Sequence, residues 1–196
     1  MLQIKTLTLG QYETNCYILY SEASSDCIVI DPGYEADTIL DKLSELGLTL
    51  EAILLTHGHF DHVGAVRQLA ADTDCQVWLC ADDLNMPAQL TAGQLYYTNT
   101  YTEGTTLHLA GLEISVLQTP GHTPGSVCLL IGDTLFSGDT LFSGSCGRTD
   151  LPGGSWAQMQ ASLKRQSQIE ANLWVLPGHG ESTMLASEKK YNPYLR

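Results

Sequence analysis

The chain has 196 residues, 43% of them hydrophobic, which is enough to bury a substantial core in one domain spanning residues 1–196. Its 22 acidic and 9 basic residues give a formal net charge of −13, and the few cations form no cluster that would neutralise nucleic-acid phosphates. An anionic membrane surface is disfavoured for the same reason. We therefore expect neither nucleic acid nor membrane as a partner.

The start of the chain has none of the features that direct a protein out of the cytoplasm. It lacks the apolar core and small-residue cleavage site of a signal peptide, and no stretch approaches the ~18 apolar residues of a membrane span. The six cysteines are scattered and include no CxxC pair, which is typical of reduced thiols in a core. We expect a cytoplasmic protein.

The first 80 residues contain short apolar runs separated by turn residues. These runs predict strands over residues 3–9, 15–20, 26–31, 52–56 and 76–80. Apolar residues recur at helical spacing over residues 35–46 and Gly47 follows as a stop, which predicts a helix. A second helix is expected from about Asp61, a favoured N-cap residue, to about Ala71.

Residues 85–106 show no clear periodicity and contain three tyrosines, Tyr96, Tyr97 and Tyr101. A long irregular segment of this kind is either a flap or binding loop over a site, or a surface excursion with a few packed aromatic side chains.

The second half of the chain returns to strands. Two hairpins are predicted, from residues 105–109 with 112–117 and from residues 126–131 with 135–137. A helix over residues 155–170 should precede a strand over residues 173–176. Strands come in clusters with helices interspersed, so we predict an α/β fold in which helices cover the outer faces of strand-rich layers.

Four possible metal ligands lie within six residues directly after the strand that ends near Thr56. They are His57, His59, Asp61 and His62. In a helix His57 and His59 would lie on nearly opposite faces, whereas in an extended loop both can point the same way. The spacing therefore predicts a metal-binding loop.

Three further polar residues, His122, Asp139 and His179, occupy turns between strands. Neighbouring Gly residues widen the range of backbone conformations there, and neighbouring Pro residues restrict it. One closed zinc site takes four protein ligands, so a set of seven predicts two ions. If Asp139 is shared, one ion receives His57, His59 and His122, and the other receives Asp61, His62 and His179.

A pair of divalent ions makes hydroxide available at neutral pH, so the predicted chemistry is hydrolysis by a metal-bridging hydroxide. The two carboxylates of the set, Asp61 and Asp139, are the predicted catalytic residues. The chain has no GxSxG elbow, and Cys146, although near the site in sequence, has no convincing setting for a nucleophile.

The order of these motifs resembles that of the metallo-β-lactamase superfamily. The resemblance lies in Thr56-His57-Gly58-His59-Phe60-Asp61-His62, His122, Gly138-Asp139 and Pro177-Gly178-His179-Gly180. It implies an αββα sandwich with a binuclear metal site at one edge of two packed sheets. The same seven ligands are implied, with two zinc ions most typical and iron or manganese as alternatives.

Within that superfamily, residues 119–126 and 138–150 are most similar to glyoxalase II-like hydrolases. Such enzymes cleave hydroxyacyl-glutathione thioesters such as S-lactoylglutathione, which implies a small-molecule thioester substrate. Only 17 residues, 180–196, follow His179, so we expect a single domain without the C-terminal helical domain that supplies glutathione contacts in glyoxalase II.

Residues 146–150, Cys-Gly-Arg-Thr-Asp, leave two alternatives open. Arg148 either binds a substrate carboxylate or forms an internal ion pair with Asp150. The same stretch resembles persulfide dioxygenases, in which two histidines and a carboxylate bind one iron, here His57, His122 and Asp139. Residues 177–180, Pro-Gly-His-Gly, favour the hydrolase. A non-catalytic metal-binding module is the third possibility, disfavoured because both ligand sets are complete.

Overall fold

The computed structural model describes residues 1–195, in which two six-stranded sheets pack face to face. The first sheet contains β1 (Leu2–Leu9), β2 (Thr14–Ser21), β3 (Asp26–Ile30), β4 (Thr49–Leu54), β5 (Gln76–Cys80) and β6 (Asn99–Tyr101), side by side in chain order. Strands β1 to β3 are antiparallel, whereas β3 to β6 run parallel. The carboxyl ends of the parallel strands therefore share one edge.

The second sheet has the order β14-β13-β10-β9-β8-β7. Its strands are β7 (Thr106–Leu109), β8 (Leu112–Gln118), β9 (Val127–Ile131), β10 (Thr134–Gly138), β13 (Trp174–Pro177) and β14 (Thr183–Met184), and the small hairpin β11 (Leu141–Phe142) with β12 (Ser145–Cys146) lies apart. Only β10 and β13 are parallel neighbours among the described strands of this sheet.

Five α-helices complete the described chain: α1 (Ala36–Leu46), α2 (Phe60–Val63), α3 (Val66–Thr73), α4 (Trp156–Ser167) and α5 (Leu185–Tyr191). The longest has 12 residues, and none within residues 1–195 is long and apolar enough to cross a bilayer.

Three apolar clusters show how these layers stack, because side chains alternate between the two faces of a strand. Ile18 of β2 packs with α1 and α3 on the outer face of the first sheet. Its neighbour Leu19 packs with Phe136 of β10 between the sheets. Leu135, next to Phe136, packs with α4 and α5 on the outer face of the second sheet. The predicted αββα sandwich is confirmed.

The helix expected from Asp61 to Ala71 is divided in two, and its predicted start is wrong. Helix α2 begins at Phe60 with His59 as N-cap, so Asp61 lies in the first turn. Between α2 and α3, the Ala65 amide donates to the Pro32 carbonyl at 3.0 Å instead of continuing the helical ladder. Contact with the loop after β3 therefore interrupts the helix.

Other elements differ from the sequence prediction in extent. The strand predicted over residues 52–56 starts at Thr49 and ends at Leu54. The irregular segment 85–106 contains β6, which pairs with β5 and adds an edge strand. Residues after His179, for which no element was predicted, form β14 and α5. These short elements gain their stability from pairing and packing, which local periodicity does not encode.

Candidate metal centre

All seven predicted ligands come together at one edge of the sandwich, in loops that follow strands of both sheets. The loop after β4 carries His57 and His59, and Asp61 and His62 follow in α2. The loops after β8, β10 and β13 carry His122, Asp139 and His179, respectively. Backbone hydrogen bonds join the sheets here, from the Val127 amide to the Thr56 carbonyl at 2.9 Å and from the Asn15 amide to the Gly178 carbonyl at 2.8 Å.

The first group consists of His57, His59 and His122, all buried. One ring nitrogen of each lies within 4.8 Å of those of the other two. His59 Nδ1 is 2.8 Å from His122 Nε2, so these two nitrogens are close enough to bind the same cation. Histidine residues two apart in the chain converge because residues 55–59 form an extended loop rather than a helix.

The second group consists of Asp61, His62 and His179, again with one ligand atom of each within 4.8 Å of the others. His179 Nε2 is 3.3 Å from Asp61 Oδ2 and 3.3 Å from His62 Nε2. Both sequence-predicted triads are therefore assembled.

Asp139 lies between the two groups. Its Oδ2 is 3.4 Å from His122 Nε2 in the first group and 3.6 Å from His179 Nε2 in the second. Its Oδ1 is 3.5 Å from His62 Nε2. A Cβ on Gly178 would lie 2.3 Å from this oxygen, so only glycine allows the loop to approach so closely.

Two of the histidines are oriented through the ring nitrogen that faces away from the cleft. Nδ1 of His122 is 2.8 Å from the Arg148 carbonyl, and Nδ1 of His179 is 3.0 Å from the Tyr12 carbonyl. A carbonyl oxygen only accepts, so Nδ1 of each ring carries a hydrogen and donates it, and Nε2 is the ring nitrogen that points towards the cleft.

Two histidines of the first group, His57 and His59, are neutral at pH 7. Burial lowers the pKa of His57 well below its ordinary value, and the positive charge of nearby His62 lowers it further. Burial likewise lowers the pKa of His59 to about 4. Both rings therefore offer lone pairs at neutral pH without first losing a proton.

The second group is charged because carboxylates surround it. Burial opposes a charge on His62, but Asp139 and Asp31 outweigh it and raise the pKa of His62 to about 9. Burial also opposes a charge on Asp61, yet the hydrogen bond from His179 and the charge of His62 lower the pKa of Asp61 to about 2. In the metal-free protein, His62 is therefore protonated at neutral pH.

The donor set fits divalent metal ions. Within residues 1–195, His57 Nε2 and Asp139 Oδ1 are buried without a hydrogen-bond partner. Such atoms are rare in folded proteins unless a water molecule or an ion satisfies them. Five imidazoles with two carboxylates suit zinc, iron or manganese better than calcium or magnesium. The His and Asp groups could thus hold a metal centre.

Two buried carboxylates next to the ligands were not predicted from the sequence. Asp31 Oδ2 is 2.9 Å from His62 Nδ1 and accepts from the Thr56 hydroxyl at 2.6 Å. The sequence contains a feature that points to Asp31, because this residue follows an apolar strand and directly precedes Pro32. Asp83 contacts the loops of the first group and lies in a segment without any local pattern. No signal in the sequence would have found it.

A cleft of about 590 Å³ opens above the two groups. His59, His122, Asp61, Asp139 and His179 face into it. Its remaining walls are mostly apolar and come from Tyr12, Phe60, Leu90, Phe142, Ser145, Cys146, Arg148 and Leu151. Leu90 brings the irregular segment 85–106 to the cleft, so part of that segment forms a wall of the site.

Arg148 forms the internal ion pair that the sequence left as one of two alternatives. Its Nε and one terminal nitrogen donate to both oxygens of Asp150, at 2.7 and 2.8 Å. Hydrogen bonding from Arg148 lowers the pKa of Asp150 to about 2. Both side chains are exposed, and Arg148 also lines the cleft.

Cys146 also lines the cleft and is half-buried, and the other five cysteines are buried. All six are free thiols, as the sequence predicted. Burial raises the pKa of the Cys146 thiol, so at neutral pH it is not an activated thiolate.

The sequence model of the metallo-beta-lactamase superfamily matches residues 9–179. The chain therefore belongs to this superfamily, whose members are generally hydrolytic metalloenzymes. It is 31% identical to the hydroxyacylglutathione hydrolase GloC of Haemophilus influenzae, with 99% of this chain and 98% of that protein covered. It is 34% identical to the probable metallo-hydrolase YqgX of Bacillus subtilis, with 97% and 96% covered.

Solved structures share the same fold. The B3 metallo-beta-lactamase BLEG-1 has a TM-score of 0.89 and 35% identity, covering 98% of this chain and 99% of that one. TTHA1623 in a di-iron-bound form has a TM-score of 0.84 and 38% identity, with 97% and 100% covered. ETHE1 from Myxococcus xanthus has a TM-score of 0.86 and 30% identity, with 97% and 83% covered. Similarity of this breadth establishes the fold and the class of metallo-hydrolase.

Proposed function

We propose that this chain is a binuclear metallohydrolase that cleaves small thioesters of the hydroxyacyl-glutathione type, as in S-lactoylglutathione. The observation that carries the proposal is the pair of complete ligand groups with Asp139 between them. Similarity to the Haemophilus hydroxyacylglutathione hydrolase along nearly the whole chain supports the choice of substrate.

In this proposal His57, His59 and His122 hold one divalent ion, Asp61, His62 and His179 hold the other, and Asp139 contributes to both. When bound, the two ions would lower the pKa of a water molecule between them and polarise the thioester carbonyl. Asp61, with a pKa of about 2, stays ionised at neutral pH and can accept a hydrogen bond that orients the attacking water.

The walls of the cleft offer apolar surface and one cation, which could bind one of the two carboxylates of a glutathione thioester. Phe60 and Leu90 offer apolar surface, and Phe142 offers more beside His179. Among the described residues that line the cleft, Arg148 is the only Lys or Arg. We propose that Arg148 leaves Asp150 to bind a substrate carboxylate, since its planar fork matches either carboxylate.

The competing function is a dioxygenase that binds one iron through His57, His122 and Asp139. Those three residues do not stand apart, because His59 Nδ1 is 2.8 Å from His122 Nε2. The second group also has all three of its ligands, and a single iron in the first group would leave these ligands without a metal ion. The geometry therefore favours two ions and hydrolysis.

The experiment that tests the function uses zinc-loaded protein and S-lactoylglutathione. We expect glutathione release, measured with a thiol reagent, without oxygen uptake at an electrode, and loss of turnover on chelation. His108→Ala is the matched control, because His108 is exposed and is the one histidine outside the two groups. Oxygen uptake with glutathione persulfide, together with no thioester cleavage, would overturn the hydrolase assignment.

The same assay tests Arg148. Arg148→Ala should raise KM more for a thioester that bears a carboxylate than for a neutral one, because only the first loses a charge-assisted contact. An equal change in KM for both substrates would restrict Arg148 to its ion pair with Asp150.

A further inference from the structure

Asp83 is a fully buried carboxylate that the proposed chemistry does not use. It ends the 3-10 turn Ala81–Asp83, which directly follows β5. It belongs to neither ligand group. A carboxylate so far from water is stable only where hydrogen bonds compensate for the lost hydration, so its partners show what it does.

All three of its hydrogen-bond donors lie in the two loops that carry the first group. Oδ2 accepts from the Gly58 amide at 2.8 Å and from the Thr123 hydroxyl at 2.9 Å. Oδ1 accepts from the Gly125 amide at 2.6 Å. Gly58 lies between His57 and His59 in the chain, and Thr123 directly follows His122. One side chain therefore joins both loops.

The approach is close enough to make the contact specific. A Cβ on Gly125 would lie 2.7 Å from Asp83 Cγ, so any larger residue would separate the loop from the carboxylate. The second group has no such link to Asp83, because its residues come from α2 and from the loop after β13.

We propose that Asp83 is a positioning residue that fixes the spacing between the His57–His59 loop and His122, and so holds the first metal-binding group ready for its ion. The carboxylate can do this because it only accepts hydrogen bonds, and three donors converge on it. Asparagine has the same shape but turns an NH2 group towards one of those donors, so the loops separate on that side.

The test measures cobalt(II) binding at each group separately, by absorbance and calorimetry. In a His179→Ala background the first group remains complete, and in a His59→Ala background the second group remains complete. Asp83→Asn should weaken cobalt affinity about 10-fold or more in the first background and leave it unchanged in the second. Asp82→Asn is the matched control, because Asp82 contacts Gln118 and neither loop.

Two measurements keep the outcome decisive. Thermal unfolding of the metal-free variants shows whether the Asp83→Asn protein folds. If it does not, Thr123→Val is the milder variant, because it removes only one of the three hydrogen bonds to Asp83. The Ser126 hydroxyl still accepts from the backbone amide of residue 123 in that variant. Thr123→Val should give a smaller affinity loss confined to the first group. Equal losses in both backgrounds, or wild-type affinity at the first group, would overturn the positioning role.

Discussion

Asp31 holds His62 in place from an unfavourable backbone conformation. Its φ is 51°, in the left-handed region that aspartate tolerates better than most residues but still adopts rarely. Its carboxylate accepts from the Thr56 amide at 2.8 Å and lies 2.9 Å from His62 Nδ1. The hydrogen bonds of the side chain thus offset the backbone cost, and the strain is stored where it orients a ligand.

Proton release on metal binding should differ between the two groups. In the metal-free protein His62, with a pKa of about 9, is protonated at pH 7, whereas His57 and His59 are neutral. A metal ion at the second group must displace the His62 proton, whereas one at the first group displaces no proton from His57 or His59. Calorimetry of zinc binding in buffers of different ionisation enthalpy, on His59→Ala and His179→Ala proteins, measures the difference.

The same pKa shift predicts how stability depends on pH. Because the pKa of His62 is raised from 6.5 to about 9, its ion pairs stabilise the metal-free fold fully below pH 6.5, and that contribution is lost as pH rises through about 9. Asp31→Asn should lower the His62 pKa. It should therefore reduce both the proton release on metal binding and the loss of stability at high pH. Equal proton release at the two groups would contradict this assignment.

At the scale of elements, the C-terminal helix α5 supports a wall of the cleft from behind. The Gly144 amide donates to Glu188 Oε2 at 2.8 Å, and Asn192 Nδ2 donates to the Ser145 carbonyl at 2.9 Å and to the same Glu188 oxygen at 2.8 Å. Both side chains are buried. They hold the hairpin β11–β12, whose Phe142 and Cys146 face the cleft.

Asn192→Ala should loosen this hairpin without disturbing the metal ligands. Asn192 Nδ2 also donates to the Phe142 carbonyl at 3.3 Å, so removing the amide leaves two carbonyls and the Glu188 oxygen without that donor. This loss should cost about 1–3 kcal/mol in the free energy of unfolding. Cys146 should then react faster with an alkylating reagent, and KM should rise while bound metal is unchanged. Ser187→Ala, at an exposed position on α5, is the control. An unchanged Cys146 rate would refute the support role.

At the scale of the whole molecule, each ligand group spans the two halves of the sandwich. His57 and His59 follow a strand of the first sheet, whereas His122 belongs to the second. The other group likewise joins α2 to His179, after β13 of the second sheet. A metal ion in either group would therefore connect two layers whose remaining contact is mainly apolar.

Metal removal should accordingly destabilise the whole fold rather than one loop. A ligand that binds only the folded state at 100 times its Kd adds about 2.7 kcal/mol. At roughly 2–4 °C per kcal/mol for a chain of this size, removal of two such ions should lower Tm by about 10–20 °C, and added zinc should restore it. Calorimetric scans before and after chelation measure this. If chelation left Tm unchanged in protein shown to bind two ions, metal binding would not be coupled to the stability of the fold.

The sequence by itself determined the features that depend on neighbouring residues. The strand before the metal-binding motif, the extended loop at His57–His59 and the hairpin at Ala110-Gly111 follow from local periodicity and turn chemistry. The structure confirms the hairpin, with both turn residues at positive φ. The motif resemblance supplied the αββα fold and the candidate ligand set, because the spacing and order of those residues is itself the signal.

Only the tertiary structure decided which side chains support that set and where Asp139 lies between the groups. Asp83 acts on donors 25 to 42 residues away, and Asp31 acts on His62 across 31 residues. Contacts of this separation arise when strand ends of two sheets meet at one edge. Local patterns report which face of a strand or helix is apolar, whereas the partner of a buried carboxylate depends on how the layers pack.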